Sequence, residues 1–427
     1  MPEPTTPLSE RPWEDVGLML GVDEALGILL DSVEPLGPVD VPLLDALGSV
    51  LVDDVVAGGP VPPFRNSAMD GYAVRAADTT GASFDRGVRL EVVGTTAAGG
   101  PCRHDVGPGI AVRVMTGAVL PASADAVVRF EETDEGSASA ATSSVIVFHP
   151  ARRGDNVREA GEDIPEGATL LERGRLLRPA ELGLLAATNR PTVRVHRRPR
   201  VAILSTGDEV VDPGEPLAVG QIRNSNSFTL AAMAKSWGAE VQLLGVARDR
   251  EDVLAGKLLG ADAPDLLVTS GGVSVGDYDL VKDVLRRHGE IAVWQVRMKP
   301  GKPLAFGRLG GTPLIGLPGN PVAAAVSFEV FGRPVVRRLQ ARPTAVATIA
   351  VRAGEAMDNR GMRRHYVRAR LLPQPDGPPV AVAAGDQGAG VLTSLARADA
   401  LAIVPETTEL VEAGTELRAI PLAGDSY

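Results

Sequence analysis

Apolar positions recur at helical spacing in VDEALGILLDSV (residues 22–33) and VPLLDALGSVLVDDVV (41–56), which predicts two modest helices near the N-terminus. From about residue 59 to 167 the texture changes to short apolar runs, VRLEVVGT, IAVRVM, DAVVRFEET and SSVIVFH, punctuated by Gly and Pro. That texture predicts a β-rich domain. Helical spacing returns in RPAELGLLAATN, where Pro179 suits a first helical turn. From Arg200 the pattern alternates: RVAILSTGDE, EVQLLGVARD and DLLVTSGG read as buried strands. SNSFTLAAMAKSWG, EDVLAGKLLG and DYDLVKDVLRRHG read as the helices between them. Polar cap candidates precede the first of these helices and Gly238 stops it, and Arg286, Arg287 and His288 close the third ahead of Gly289. IAVWQV, PLAFG and PLIGLPG add strands, and NPVAAAVSFEVFGRPVVRRL closes with a long helix.

Strands and helices alternating at this spacing predict a three-layer α/β domain around a mostly parallel sheet. After about residue 342, ATIAVRAG, RRHYVRARLL, PPVAVAA and DALAIVPET predict a separate C-terminal β-barrel-like domain. At 427 residues the chain is long enough for roughly three domains on length alone.

Composition narrows the chemistry. No run approaches the roughly 18 apolar residues of a membrane helix, and the acidic, Pro-rich MPEPTTPLSERPWEDV is no secretory signal, so a cytoplasmic protein without membrane partners is expected. A formal charge of −11 argues against a nucleic-acid partner. Cys102 is the only cysteine, and His104, His149, His196, His288 and His365 are scattered. A thiolate cluster is thereby excluded, and any metal is left to oxygen ligands, as suits magnesium. Only five lysines stand against 38 arginines, so Lys299 and Lys302 in MKPGKP are conspicuous.

In an open α/β sheet, ligands bind beyond the carboxyl ends of the strands. That rule selects Ser205, Thr206, Gly207 and Glu209 after the first strand and Asp249 after the second. It also selects Ser270 to Asp279 after the third, and Pro318, Gly319 and Asn320 before the last helix. SGGVSVGD, with Ser270, Gly271, Gly272, Ser274 and Gly276, and GLPGNP both suit phosphate cradles. Glu209, Asp249 and Asp279 are the acids of that edge. Asp70-Gly71 in RNSAMDGYAV reads as a tight turn presenting Asp70 at its tip. Gly272 to Gly276 also spells the G-x-S-x-G elbow of serine hydrolases, without the histidine-containing oxyanion motif of that class.

RNSAMDGYAV, RVMTGAVLPASADAVVRFEET, REAGEDIPEGATLL, STGDEV, TSGGVSVGDYD, MKPGKPLAFG and GLPGNPVAAAV stand in the order seen in the molybdopterin molybdotransferases, molybdenum insertases that include the C-terminal part of gephyrin. The chain resembles that family over nearly its whole length. The resemblance implies a homodimer of four-domain protomers: 1–32 with 198–341 as the molybdopterin-binding α/β domain, 33–58 with 168–197 as a small helical linking domain, 59–167 as the β-rich domain, and 342–427 as the C-terminal domain. It implies magnesium-dependent insertion of molybdate into adenylylated molybdopterin, with release of AMP and molybdenum cofactor. Carried over by motif, Asp70, Thr116, Arg158 and Asp163 form one face of the site, with Asp70 reaching a partner's crevice. Glu209, Asp249 and Asp279 supply the other face and hold magnesium, Lys299 and Lys302 neutralise oxyanions, and Ser394 of LTSLARAD contributes. An upstream adenylyltransferase and acceptor molybdoenzymes are the implied protein partners. Gln295 departs from relatives that can carry lysine there.

Three other functions stay open on the sequence: a molybdopterin adenylyltransferase sharing the α/β domain, a non-catalytic scaffold, and an unrelated phosphate-ester hydrolase.

Overall fold

The structure is a computed structural model that describes residues 19–135, 143–272 and 280–422. The chain divides into two compact units, one of Met1–Asp40, Gly48–Val52 and Arg194–Tyr427, the other of Val41–Leu47 and Asp53–Val193.

The first unit is built on a seven-stranded sheet in the order Met19–Leu20, Gly289–Val296, Pro303–Leu309, Thr312–Leu317, Leu266–Ser270, Arg200–Thr206, Glu240–Ala247. Four of its pairings are parallel, and the two made by Pro303–Leu309 are antiparallel. Side chains alternate across a strand, so a run buried on both faces must be apolar throughout. Val201 and Ile203 join the core formed with helices Val22–Asp31, Asn226–Ser236 and Pro321–Ser327. Ala202 and Leu204 join the opposite core with helices Glu251–Leu259 and Leu280–His288. This is the expected three-layer arrangement, and it incorporates the N-terminal helix.

The closing helix is interrupted by a π turn at Phe328–Gly332 before Arg333–Leu339. Pro334 has no N–H for the i→i−4 ladder, and Gly332 leaves room for the Phe328 ring, which lies 2.1 Å from where a Cβ would sit. That ring packs on Trp237 at 4.8 Å between centroids.

In the same unit, strands Arg364–Leu372, Val380–Ala383, Ile349–Ala353, Glu416–Pro421 and Ala400–Val404 close into a barrel through the pairing of the last with the first. Closure leaves no free edge among those strands. Met298–Lys299 adds a parallel pairing at the start of Arg364–Leu372.

The second unit carries a five-stranded sheet in the order Ala126–Arg129, Gly71–Val74, Ile110–Val114, Val88–Thr96, Ser144–Val147. The helix Pro179–Ala187 starts with Pro179 in its first turn, and the buried Glu181 is gripped by Arg175 and Arg178 at 2.6 and 2.7 Å.

The helix expected over 41–56 is replaced by one 3₁₀ turn at Leu43–Ala46. Gly48 follows in the left-handed region, and Leu51 bridges Val195, so apolar side chains at helical spacing are buried by an irregular segment instead. Residues 68–70 form the expected bend at Asp70, but the expected role of Gly71 is corrected. Gly71 opens a strand without a left-handed φ, and glycine is required because a Cβ would fall 2.0 Å from Val128 O. Among the described residues no helix is long and apolar enough to cross a membrane.

Candidate active site

Parallel register brings Ser205, Ser270 and Leu317 level at the carboxyl ends of three adjacent strands. Beyond them opens a crevice of about 470 Å3, lined by Ser205, Thr206, Gly207, Glu209, Asp249, Ser270, Gly271, Gly272, Pro318, Gly319 and Asn320. Eleven of the sequence-selected residues thus meet at one edge. Ser274, Gly276 and Asp279 lie outside the described residues, as does most of the G-x-S-x-G elbow.

Glycine is demanded where the backbones crowd. Gly271 and Gly272 have φ of 93° and 68°, and a Cβ on either would lie 2.8 or 3.2 Å from Thr206 Oγ1. That hydroxyl is buried and makes no hydrogen bond among the described residues. The Gly271 N–H already donates to Leu317 O at 3.0 Å, so it is not available to an anion. On Gly207, a Cβ would lie 2.5 to 2.8 Å from the Glu209 carboxyl group, which folds directly over that glycine.

The polar residues before helix Asn226–Ser236 build the crevice. Ser225 makes no side-chain cap bond; the expected polar cap is supplied by Asn224, whose Oδ1 accepts the Ser227 N–H at 3.1 Å. Asn226 donates one amide hydrogen to Ser270 Oγ and the other to Gly319 O, both at 2.7 Å, tying the two glycine loops together. Ser205 Oγ donates to Asn224 Oδ1 at 2.9 Å and lies 2.8 Å from Ser227 Oγ, while Asn224 Nδ2 donates to Asp212 at 2.8 Å. Ser205, on the crevice wall, is therefore held by a buried network. Sequence reasoning read this stretch only as polar lead-in to the helix and missed the roles of Asn224 and Asn226; the available signal was two asparagines in RNSNSF at that helix start.

Glu209 and Asp249 are exposed on the crevice rim. Asp249 is oriented by reciprocal bonds, accepting from the Asp208 N–H at 3.4 Å while its own N–H donates to Asp208 at 3.2 Å. Among the described residues no three of His, Cys, Asp or Glu gather closely enough to hold a metal by themselves.

Ser394 and the lysines sit elsewhere in this unit. Arg368 is fully buried; its Nε donates to Ser394 Oγ at 3.2 Å and its Nη2 to Asp386 O and Gly388 O, while Nη1 is buried without a partner. Burial pulls its pKa down, opposed by the Asp386 charge. The same loop reaches the crevice, since Ala389 O accepts the Val322 N–H beside Asn320 and Pro321. Lys299 pairs with His365 in the parallel ladder, and Lys302 precedes Pro303, a crevice residue. Gln295 is paired in the sheet between Met19 and Pro303. Arg368 and His365 were not selected from the sequence.

In the second unit, Asp70 and Thr116 are brought together. The Thr116 N–H and hydroxyl donate to Asp70 Oδ1 at 2.6 and 2.9 Å, and with Arg113 nearby they hold the carboxyl below its usual range. Arg113 itself stacks 4.6 Å over the Phe130 ring. Arg158 and Asp163 are exposed, the former opposite Asn66 in a two-stranded pairing, the latter with its N–H on Val61 O.

Three family models match in chain order: MoeA N-terminal region (domain I and II) over residues 20–189, probable molybdopterin binding domain over 202–338, and MoeA C-terminal region (domain IV) over 350–422. "Molybdopterin molybdenumtransferase 2" of Mycobacterium tuberculosis (strain ATCC 25618 / H37Rv) is 40% identical over 94% of this chain and 99% of its own length. The chain belongs to the molybdopterin molybdenumtransferase family. Membership makes it a transferase of molybdenum cofactor biosynthesis. "Molybdopterin molybdenumtransferase" of Nostoc sp. (strain PCC 7120 / SAG 25.82 / UTEX 2576) is 37% identical over 92% of this chain and 90% of its own. Among solved structures, the molybdopterin biosynthesis moeA protein from Pyrococcus horikosii aligns over 95% of this chain and 100% of its own, with a TM-score of 0.78 and 32% identity. The α/β domain carrying the crevice is the part matched by the probable molybdopterin binding domain.

Proposed function

We propose that the chain transfers molybdenum from molybdate to adenylylated molybdopterin, with magnesium-dependent cleavage of the phosphoanhydride and release of AMP. The observation that carries this reading is the crevice itself: two glycine loops joined by Asn226, with Glu209 and Asp249 on the rim, in a domain of the molybdopterin-binding type.

The residues fit magnesium by their donor chemistry. Glu209 and Asp249 offer only oxygen, and two carboxylates with retained waters and substrate phosphate are a normal set for this hard ion. When bound, the metal would supply neutralisation of phosphate charge. The chain's own part is positioning. Asn226 fixes the spacing of the loops, and the glycines let them pack closely against Thr206. The unpartnered Nη1 of Arg368, next to Ser394, supports an oxyanion subsite for molybdate, with Lys299 and Lys302 contributing charge. Asp70, Thr116, Arg158 and Asp163 act on the same substrate from a second copy of the chain in a homodimer.

The test is to incubate the purified chain with adenylylated molybdopterin, molybdate and magnesium and to assay AMP. Release that depends on both molybdate and magnesium is expected. No release, or release of pyrophosphate from ATP and molybdopterin instead, overturns the proposal in favour of another activity.

A further inference from the structure

The crevice has an apolar side that phosphate and metal chemistry leave unexplained. Ile222 lines the opening and is 56% exposed, and Val210 lines it too. The two are register partners in the parallel pairing of Val210–Val211 with Ile222–Arg223, so their side chains stand next to each other on one face of that short ribbon. Arg223 also borders the crevice, but its guanidinium donates to Asp212 O and Glu215 O at 3.1 and 2.5 Å and fastens the loop between the strands.

The ribbon is held in place before anything binds. The Ile222 N–H donates to Glu209 O at 2.7 Å, the Asn224 N–H to Val211 O at 2.8 Å and the Val210 N–H to Gly207 O at 3.2 Å. The Asn224 side chain belongs in turn to the buried network around Ser205. A surface already fixed in this way spends little ordering entropy on a ligand. A single exposed apolar residue needs no explanation, but two paired on the wall of a crevice that also presents Glu209 and Asp249 are of no use to a phosphate or a cation. They gain by being covered with a flat, weakly hydrated surface. A fused nitrogen heterocycle has such a face, and keeps its polar atoms at its edge.

We propose that Val210 and Ile222 form the platform on which a fused nitrogen heterocycle of the substrate lies, beside the glycine loops of the same crevice. This rests on the proposed function for the identity of the substrate, and it assigns work to two residues that the motif carry-over left without a role. Adenylylated molybdopterin carries two rings of this class, the adenine and the pterin, and the test separates them.

The test is steady-state AMP release by the full chain, with adenylylated molybdopterin varied at saturating molybdate and magnesium. Ile222→Ala is expected to raise the KM about five- to tenfold, the value of part of an isoleucine side chain withdrawn from the contact. Its kcat stays within about twofold of wild type, because the platform binds ground state and transition state alike. Ile222→Leu, which keeps an apolar face, recovers most of the loss. Val219→Ala, on the same loop, fully exposed and outside the crevice lining, leaves the KM unchanged. Calorimetric titrations with AMP and with ribose 5-phosphate identify the ring. An Ile222→Ala chain that binds AMP more weakly but ribose 5-phosphate as before places the adenine on the platform, and an AMP affinity that the substitution does not change assigns the pterin. An Ile222→Ala KM equal to that of wild type, or one raised equally by Val219→Ala, overturns the inference while the proposed function stands. A wild-type chain that releases no AMP overturns both.

Discussion

Thr116 directs both its N–H and its hydroxyl to a single oxygen of Asp70, at 2.6 and 2.9 Å. Under the proposed function, the second oxygen, Oδ2, faces the substrate. Asp70→Ala is expected to abolish AMP release while the chain still folds, since the side chain is exposed. Asp70→Asn, which keeps an acceptor and loses the charge, separates the two contributions. Thr116→Val removes the hydroxyl bond and is expected to reduce turnover about three- to tenfold, the value of one hydrogen bond to a charged group at the surface. Full activity in Asp70→Ala contradicts the assigned role.

Asn226 gives a second prediction. Aspartate in its place has no amide hydrogens and sets a carboxylate against Gly319 O. Asn226→Asp is expected to raise the KM for adenylylated molybdopterin at least tenfold, consistent with about 1.5–3 kcal/mol for a contact turned repulsive. Asn226→Ala is milder, because it removes bonds without adding repulsion. Steady-state kinetics with circular dichroism as a fold control reads both.

Gly71→Ala tests the strand reading of MDGYA. Its Cβ meets Val128 O at 2.0 Å, so backbone must move, at a cost of about 1–3 kcal/mol. A lower melting temperature is expected, whereas a glycine needed for a turn would have shown its cost through φ.

Acid sensitivity follows from His365. Burial holds its folded pKa at about 4, below the usual value of 6.5, so folding excludes a proton that the unfolded chain binds. Its contribution to stability is complete above pH 6.5 and is lost as pH falls from 6.5 toward 4, by about 3 kcal/mol. His365→Gln is expected to flatten that part of the stability profile. Glu181, held near a pKa of about 2 by Arg178 and Arg175, acts lower: its contribution fades as pH falls below its usual 4.5. Urea titrations between pH 3 and 7 separate the two.

Much of the α/β domain was legible because strands buried on both faces must be apolar without interruption, as in Val201 to Leu204. Pro179, Gly238 and Pro321 marked helix ends for local steric reasons that need no tertiary context. The sheet-edge rule gathered the crevice residues correctly because it depends only on strand direction. The helix over 41–56 was misread because apolar spacing does not report whether a segment finds helical neighbours. Arg368 and His365 were invisible for a different reason. A polar residue inside a strand shows its partners only once register and barrel closure are known.

The amide of Asn226 also bears on redesign. Because one side chain grips both loops, Ser270 and Gly319 belong to a single mechanical part. Substitutions made separately in the two loops should therefore not combine additively, and a crevice reshaped for a differently sized anion would have to be altered on both sides at once.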